Sequence, residues 1–477
     1  MERASILSFL LCVSTNCFAT TWYVDDDGKA DFERIQDAID ASIDMDVIFV
    51  REGTYYENID FLGKWIQVQG ENRDTTIIDG SNHNGSVVTC NSGETFWSVL
   101  SSFTIQNGSG TYWVDPVFGQ QKCGGGIFCE DASPFIEMCL IKDNQAWGGA
   151  GIFVTSGDPY IMTSTIKNNT AEGHGGGIYC IYNVNASITN IVLEGNEANW
   201  GGGITCTDES NPNIANCTFA MNTTLSVGGG IYIRSTSSPV VTDCSFVENV
   251  QISNPLGSGG GACIYGGGST GGPCSPTFTD CSFFGNTVNG DGAGMSAAYD
   301  AHPKVTNCTF EQNHAGRSGG GLACVADDGH IYESNADVQD CSFEGNSSAE
   351  EGGGIHVRFS SPTISGVQVT NNTAGNTGGG INFHDSPNTM ISNSTICENL
   401  PNPTSGNFTD GGGNIFSDAC FVCEGDANED GMVDVTDLLA AVGNWGPCEG
   451  CSVDIDGNGV VDVTDLLIIV GNWGSCN

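Results

Sequence analysis

Oxygen-bearing side chains recur at fixed intervals near the C-terminus: Asp426, Asn428, Asp430, Asp434 and Asp437, then Asp454, Asp456, Asn458, Asp462 and Asp465. Within each twelve-residue segment they take positions 1, 3, 5, 9 and 12, with Gly431 or Gly459 at position 6. Position 7, Met432 or Val460, offers its backbone carbonyl. Hard oxygen donors spaced in this way around a glycine that permits a sharp turn form a cage for Ca²⁺. Two copies in register predict two calcium ions. Each loop runs into an apolar segment, Leu438, Leu439, Val442 and Trp445 or Leu466, Leu467, Val470 and Trp473, spaced as on a helix. The elements that hold the ligands are therefore two loop–helix units produced by duplication.

This pair of half EF-hands resembles a type I dockerin over about residues 424–477. The resemblance implies a calcium-folded plug that docks onto a cohesin-like receptor. It places receptor contacts at loop positions 10 and 11, here Val435, Thr436, Val463 and Thr464. Because both pairs are identical, either face can dock. Asp at position 12, shorter than the Glu of ordinary EF-hands, also follows the dockerin pattern. A second reading is a calcium staple without a partner.

Composition narrows the partners. Acidic residues number 57 against 13 basic ones, a net charge of −44, which argues against nucleic acid and anionic membranes and repels polyanionic glycans at long range. Arg3, an apolar run from Ile6 to Val13 and the small-x-small site Cys17-Phe18-Ala19 predict a signal peptide over residues 1–19 and a secreted protein, with attachment to a cell surface allowed by the docking module. No later run reaches the length of a membrane span.

Without that peptide 20 of the 22 cysteines remain, an even number suited to an oxidising compartment. Around the calcium loops, pairing 423 with 448 and 451 with 476 respects the duplication, as does 423 with 476 and 448 with 451. A zinc-ribbon spacing, Cys420-x-x-Cys423 and Cys448-x-x-Cys451, is the weaker alternative because a calcium loop fills the intervening segment.

Upstream, a glycine-rich signature recurs at Gly126-Ile127, Gly151-Ile152, Gly177-Ile178, Gly203-Ile204, Gly230-Ile231, Gly321-Leu322, Gly354-Ile355 and Gly380-Ile381. A second signature alternates with it: Cys217-Thr-Phe219 ending at Asn222, Cys244-Ser-Phe246 at Asn249, Cys281-Ser-Phe283 at Asn286, Cys308-Thr-Phe310 at Asn313 and Cys341-Ser-Phe343 at Asn346. Variants end at Asn107, Asn144, Asn169, Asn196, Asn372 and Asn399. Short β-rich pieces at this period predict a solenoid, read here as a right-handed parallel β-helix with a buried asparagine ladder. Glycosylation of the ladder sequons, such as Asn222 and Asn346, is the weaker reading. Counting from the last glycine, positions +1 and +3 face inward, as at Ile127 and Cys129, Ile178 and Cys180, Ile204 and Cys206, and Leu322 and Cys324. The cysteines before each ladder Asn, with Cys139, form a second inward column, either a stack of apolar thiols or cross-coil disulfides.

At the front, Trp22-Tyr23-Val24 reads as a strand, and Asp31 as the N-cap of a short helix with Phe32, Ile35, Ala38 and Ile39 on its apolar face. This stretch is similar to the opening of pectin-lyase-like β-helix proteins, a fold resemblance over roughly residues 21–420. The glycine and Phe-x-x-Asn signatures also resemble the passenger repeats of polymorphic outer-membrane adhesins. The expected organisation is a signal peptide over 1–19, a mainly β solenoid with an N-terminal helical cap over 20–420, and a small α-helical dockerin over 421–477.

Chemistry on the solenoid would need outward side chains. At +2 stand Phe128, Phe153, Tyr179 and Tyr232, an aromatic stripe on which sugar rings could stack; the competing reading is a ladder lying under a loop. At +4, Arg358 and His384 stack one coil apart with His356 and Asp385 nearby, a base and a cation of the kind polysaccharide β-elimination uses. Glu130 with Asp131 and Asp208 with Glu209 are the acids nearest the stripe, and hydrolysis needs such a pair. The sequence thus predicts a secreted β-helix that binds extracellular polysaccharide, with cleavage as lyase or glycoside hydrolase left open. The rival is a non-catalytic adhesin or surface component.

Overall fold

A computed structural model describes residues 19–116, 119–267, 272–326, 332–386, 388–418, 425–428, 432–448 and 451–475. The expected signal peptide, apart from Ala19, lies outside them, as do Asp430 and Gly431. The chain divides into a unit ending at Phe416 and a unit from Ser417 onward.

One coil of the first unit comprises strands Ile178–Ile181, Ser187–Thr189, Val192–Glu194 and Glu197–Trp200. Their counterparts in other coils build parallel sheets of 13, 15, 14 and 9 strands. Stacking is in register, Ile178 over Ile204 and Cys180 over Cys206, so each inward position becomes a column. The mainly β, parallel-coil expectation is met.

Corners demand backbone that most residues avoid. Between the 15- and 14-stranded sheets one residue turns left-handed, at Asn190, Asn216, Asp243, Asp280, Asn307 and Asp340, with φ of 52° to 55°. Asn and Asp tolerate this conformation best after glycine. The glycine signature opens with another left-handed residue, such as Gly175 at φ 61°, where a Cβ would collide with the carbonyl oxygen of Ile178.

The asparagine ladder runs from Asn144 through Asn169, Asn196, Asn222, Asn249, Asn286, Asn313, Asn346 and Asn372 to Asn399, with side-chain bonds of 2.9 to 3.0 Å. Asn249 illustrates its saturation. Its Oδ1 accepts the backbone and side-chain N–H of Asn222 at 3.1 and 3.0 Å, while its Nδ2 donates to Phe219 O at 2.9 Å and to Asn286 at 3.0 Å. Asn107 is a correction: it is the left-handed residue, φ 61°, and binds Asp79. Gly108 takes its place in the column, donating its N–H to Asn144.

Beside the ladder Phe219, Phe246, Phe283, Phe310 and Phe343 stack with centroids 4.5 to 4.6 Å apart. Cys139, Cys217, Cys244, Cys281, Cys308 and Cys341 are buried free thiols, as are Cys129, Cys180, Cys206 and Cys324. Each ladder-side thiol donates to the carbonyl two residues earlier, as Cys217 Sγ does to Ala215 O at 3.2 Å.

The cap helix α1 spans Ile35–Ala41 and buries Ile35, Ala38 and Ile39. Asp31 does not cap it; its carboxylate accepts from Tyr23 N. Glu57, distant in sequence, instead accepts the N–H groups of Ile35 and Gln36 at 2.8 and 3.1 Å. In the second unit, helices α2 (Val435–Gly443) and α3 (Val463–Gly471) enclose Val433, Ala441, Val461 and Ile469. A disulfide joins Cys448 to Cys451, one half of the second alternative; Cys423 and Cys476, its other half, and Cys420 lie outside the described residues.

Replacing Asn249 with Ala leaves two buried N–H donors of Asn222 without an acceptor, a cost of about 2–6 kcal/mol. Thermal melting by circular dichroism should show a clear loss for Asn249→Ala and none for the exposed Lys304→Ala; equal midpoints would refute the ladder's role.

Candidate functional site

In the second acidic loop, carboxylate oxygens of Asp454, Asp456 and Asp465 lie within 4.8 Å of one another. Among the described residues this is the one such convergence of three acidic, histidine or cysteine ligands. Backbone N–H groups set the loop: Asn458 and Gly459 donate to Asp454 at 3.1 and 2.7 Å. Gly459 adopts φ 86°, as the sharp turn requires.

Asp465 is fully buried and joins loop to helix. One oxygen accepts from Ile455 and Asp456, the other from Asp462 at the N-cap of α3. Burial raises its pKa, but these backbone donors outweigh that and hold the carboxyl below its ordinary range. Hard oxygen donors grouped in this way suit Ca²⁺. Asp454, Asp456, Asn458, Asp462 and Asp465, with the Val460 carbonyl, would hold it.

The first loop repeats the frame where it is described. Asp437, also fully buried, accepts from Asn428 and Asp434 at 3.1 and 2.9 Å. Asp426 and Met432 lie in described segments of that loop. Val435, Thr436, Val463 and Thr464 are exposed. So is the rest of each outer helix face: Leu439, Val442 and Trp445, then Leu467, Val470 and Trp473, are each more than half exposed.

On the solenoid the expected aromatic stripe is present but covered. Phe128, Phe153, Tyr179 and Tyr232 do point out of the coil, yet none is more than 4% exposed. A hairpin, Thr111–Asp115 paired antiparallel with Gly119–Cys123, lies across the first part of the column. Its Trp113 packs 5.0 Å from Phe153, and Cys123 joins the same apolar cluster. Phe128, Phe153 and Tyr179 therefore form a second small core rather than a sugar platform, and Tyr232 is buried outside that cluster.

The exposed rings stand elsewhere, in or just before strands of the 15-stranded sheet. Trp65 and Trp97 precede the paired Gln67 and Val99 by two residues. Phe96 lies 4.4 Å from Trp97, and Phe135 stacks on Tyr160 at 6.2 Å in the next coils. The signal for them was an aromatic recurring at one coil length just before a strand.

Beneath the hairpin a small cavity of about 90 Å³ is lined by Asp115, His174, Tyr182, Asp208 and Arg234. Glu130, its pKa raised by burial and by Asp131, is tied to Trp113 by a hydrogen bond. Asp208 and Glu209 occupy left-handed turn positions. His174 is buried between Tyr179 and Trp200, with centroids 5.1 and 4.8 Å away. Burial, with Arg234 nearby, pushes its pKa down to about 3.

The elimination candidates are only partly brought together. Arg358 and His384 pair across adjacent coils, as expected. His356 is buried, and burial with Arg358 and His384 lowers its pKa to about 3, so it is a neutral ring out of a substrate's reach. Only His384 and Asp385 of the four line an open cleft, of about 350 Å³, and they lie 3.6 Å apart.

A family described as the right handed beta helix region matches residues 91–271 and 249–396, more than half of the sequence. The chain belongs to the right-handed β-helix family. Solved structures similar to this β-helix protein include a carrot pectin methylesterase, at 12% identity over 69% of this chain and 82% of that one, TM-score 0.22. A siphovirus 9NA tailspike receptor binding domain matches at 11% identity over 84% and 76%, TM-score 0.34. The A-module of an Azotobacter vinelandii mannuronan C-5 epimerase matches at 12% over 81% and 94%, TM-score 0.20. No curated protein matches significantly. No described helix is long and apolar enough to cross a membrane.

Because His174 has a folded pKa below the unfolded value of about 6.5, its contribution is complete above that pH and is lost as pH falls toward 3. Below pH 6 the native protein should lose up to about 1.4 kcal/mol per pH unit more than His174→Phe. Urea unfolding of both at pH 7 and pH 5 measures this; parallel losses would contradict a neutral buried imidazole.

Proposed function

We propose that the protein is a secreted β-helix that binds extracellular polysaccharide and is held in place by a calcium-dependent, dockerin-like module on a cohesin-like receptor. The observation that carries the reading is the duplicated outer helix face. Val435, Leu439, Val442 and Trp445, and again Val463, Leu467, Val470 and Trp473, stand more than half exposed while Val433, Ala441, Val461 and Ile469 fill the interior. Two calcium-loop helices presenting the same apolar row suit an interface that can be engaged in either of two orientations.

Binding is preferred to cleavage. His356 is buried, and Arg358, although paired with His384, lies over the Phe359 ring and does not line the cleft that His384 and Asp385 share. The exposed aromatics Trp65, Phe96, Trp97 and Tyr160, with the half-buried Phe135, support stacking against sugar rings.

In excess chelator the helical dichroism of residues 424–477 should collapse while the β signal of the solenoid stays, since the loop carboxylates lose the charge that gathers them. Retention on an immobilised cohesin should need calcium, survive Leu439→Asp alone, and fail in the Leu439→Asp, Leu467→Asp double variant. Unchanged helix content in chelator would refute the calcium fold, and indifference of the double variant would refute the docking face.

A further inference from the structure

We propose that the cleft beside the Thr111–Asp115 and Gly119–Cys123 hairpin is a binding site for a neutral oligosaccharide. This rests on the polysaccharide-binding reading and gives it a second location, away from the 15-stranded sheet. The cleft has a volume of about 490 Å³ and is lined by Tyr112, Gln120, Lys122, Gln145, Trp147 and Glu172 among others. A neighbouring cleft of about 300 Å³ shares Tyr112 and Lys122 and extends to Asn84 and Thr111. Together they offer the room of an ordinary ligand site, with Tyr112 on the ridge between them.

The lining chemistry is that of a sugar site. Tyr112 and Trp147 give flat faces for C–H-rich sides of a pyranose, and the amides of Gln120 and Gln145 can both donate to and accept from hydroxyls. Charges among these residues balance, one Lys122 against one Glu172. On a chain of net charge −44 that balance favours an uncharged glycan over a polyuronate, which the surface repels.

The walls are set before a ligand arrives. Tyr112 and Lys122 face each other across the hairpin, with the ammonium 5.4 Å from the ring. The hairpin is pinned at its base by Ser86 to Thr111 at 2.8 Å and by Trp147 N–H to Lys122 O at 2.7 Å. Trp113 anchors its opposite face on Phe153. A platform fixed in this way spends little ordering free energy on binding.

The test titrates the full chain in calcium by calorimetry with β-1,4-linked hexaoses of glucose, xylose and mannose, and with hexagalacturonate as the acidic probe. At least one neutral hexaose should bind, and Tyr112→Ala should weaken it by about tenfold or more, with Trp97→Ala having a smaller effect. Tyr112 is exposed and outside every core cluster, and an unchanged melting curve confirms that its variant folds. Neutral binding abolished by Trp97→Ala but untouched by Tyr112→Ala overturns the cleft and spares the polysaccharide reading. Preference for hexagalacturonate, lost in Lys122→Ala, overturns the neutral class. No binding of any probe overturns the cleft and that reading together.

Discussion

Every coil of the solenoid must set its hydrogen-bonding atoms directly above those of the coil before it. The asparagine ladder is where this constraint is tightest, because each amide serves four partners at once and a shift of one residue would strand them all in an apolar interior. The left-handed residue before each ladder position, such as Asp143, Asn168 or Met221, turns the chain so that the amide points inward. The stacked phenyl rings and thiols then follow without further instruction, since any side chain at a fixed offset from the ladder must recur in a column.

Much of this was legible in the sequence because columns write themselves as periods. The Cys-x-Phe-x-x-Asn signature gave the ladder from Asn144 to Asn399, and failed at Asn107, where the turn residue and the ladder residue trade chemical identity. Of the two readings of the aromatic stripe, the ladder lying under a loop is the one that holds, and the sugar platform does not. Alternation correctly sends Phe128, Phe153 and Tyr179 out of the coil, but a local pattern carries no information about a hairpin inserted between coils that folds back over them. The cap helix taught the same lesson in reverse, because its partner Glu57 lies after the helix, in the connection between strands Gly53–Tyr55 and Ile59–Asp60.

The second acidic loop was readable because its oxygen-bearing side chains are local and each accepts from a neighbouring amide. Even there the helix faces divided in a way that spacing left open. Leu438 and Leu466 pack inward while Leu439 and Leu467, their immediate neighbours, face out. The two halves share this division, so the duplication preserved a surface as well as the spacing of the acidic residues.

The ladder also works as a ruler. Asn196 and Asn222 are 26 residues apart and Asn249 and Asn286 are 37 apart, yet both pairs close the same 3.0 Å bond. Extra chain is therefore discharged sideways at a corner, and the coils above and below keep their height. Loops of any length can be written onto one storey without editing the others, which makes the outer surface freely revisable while the interior stays a fixed text.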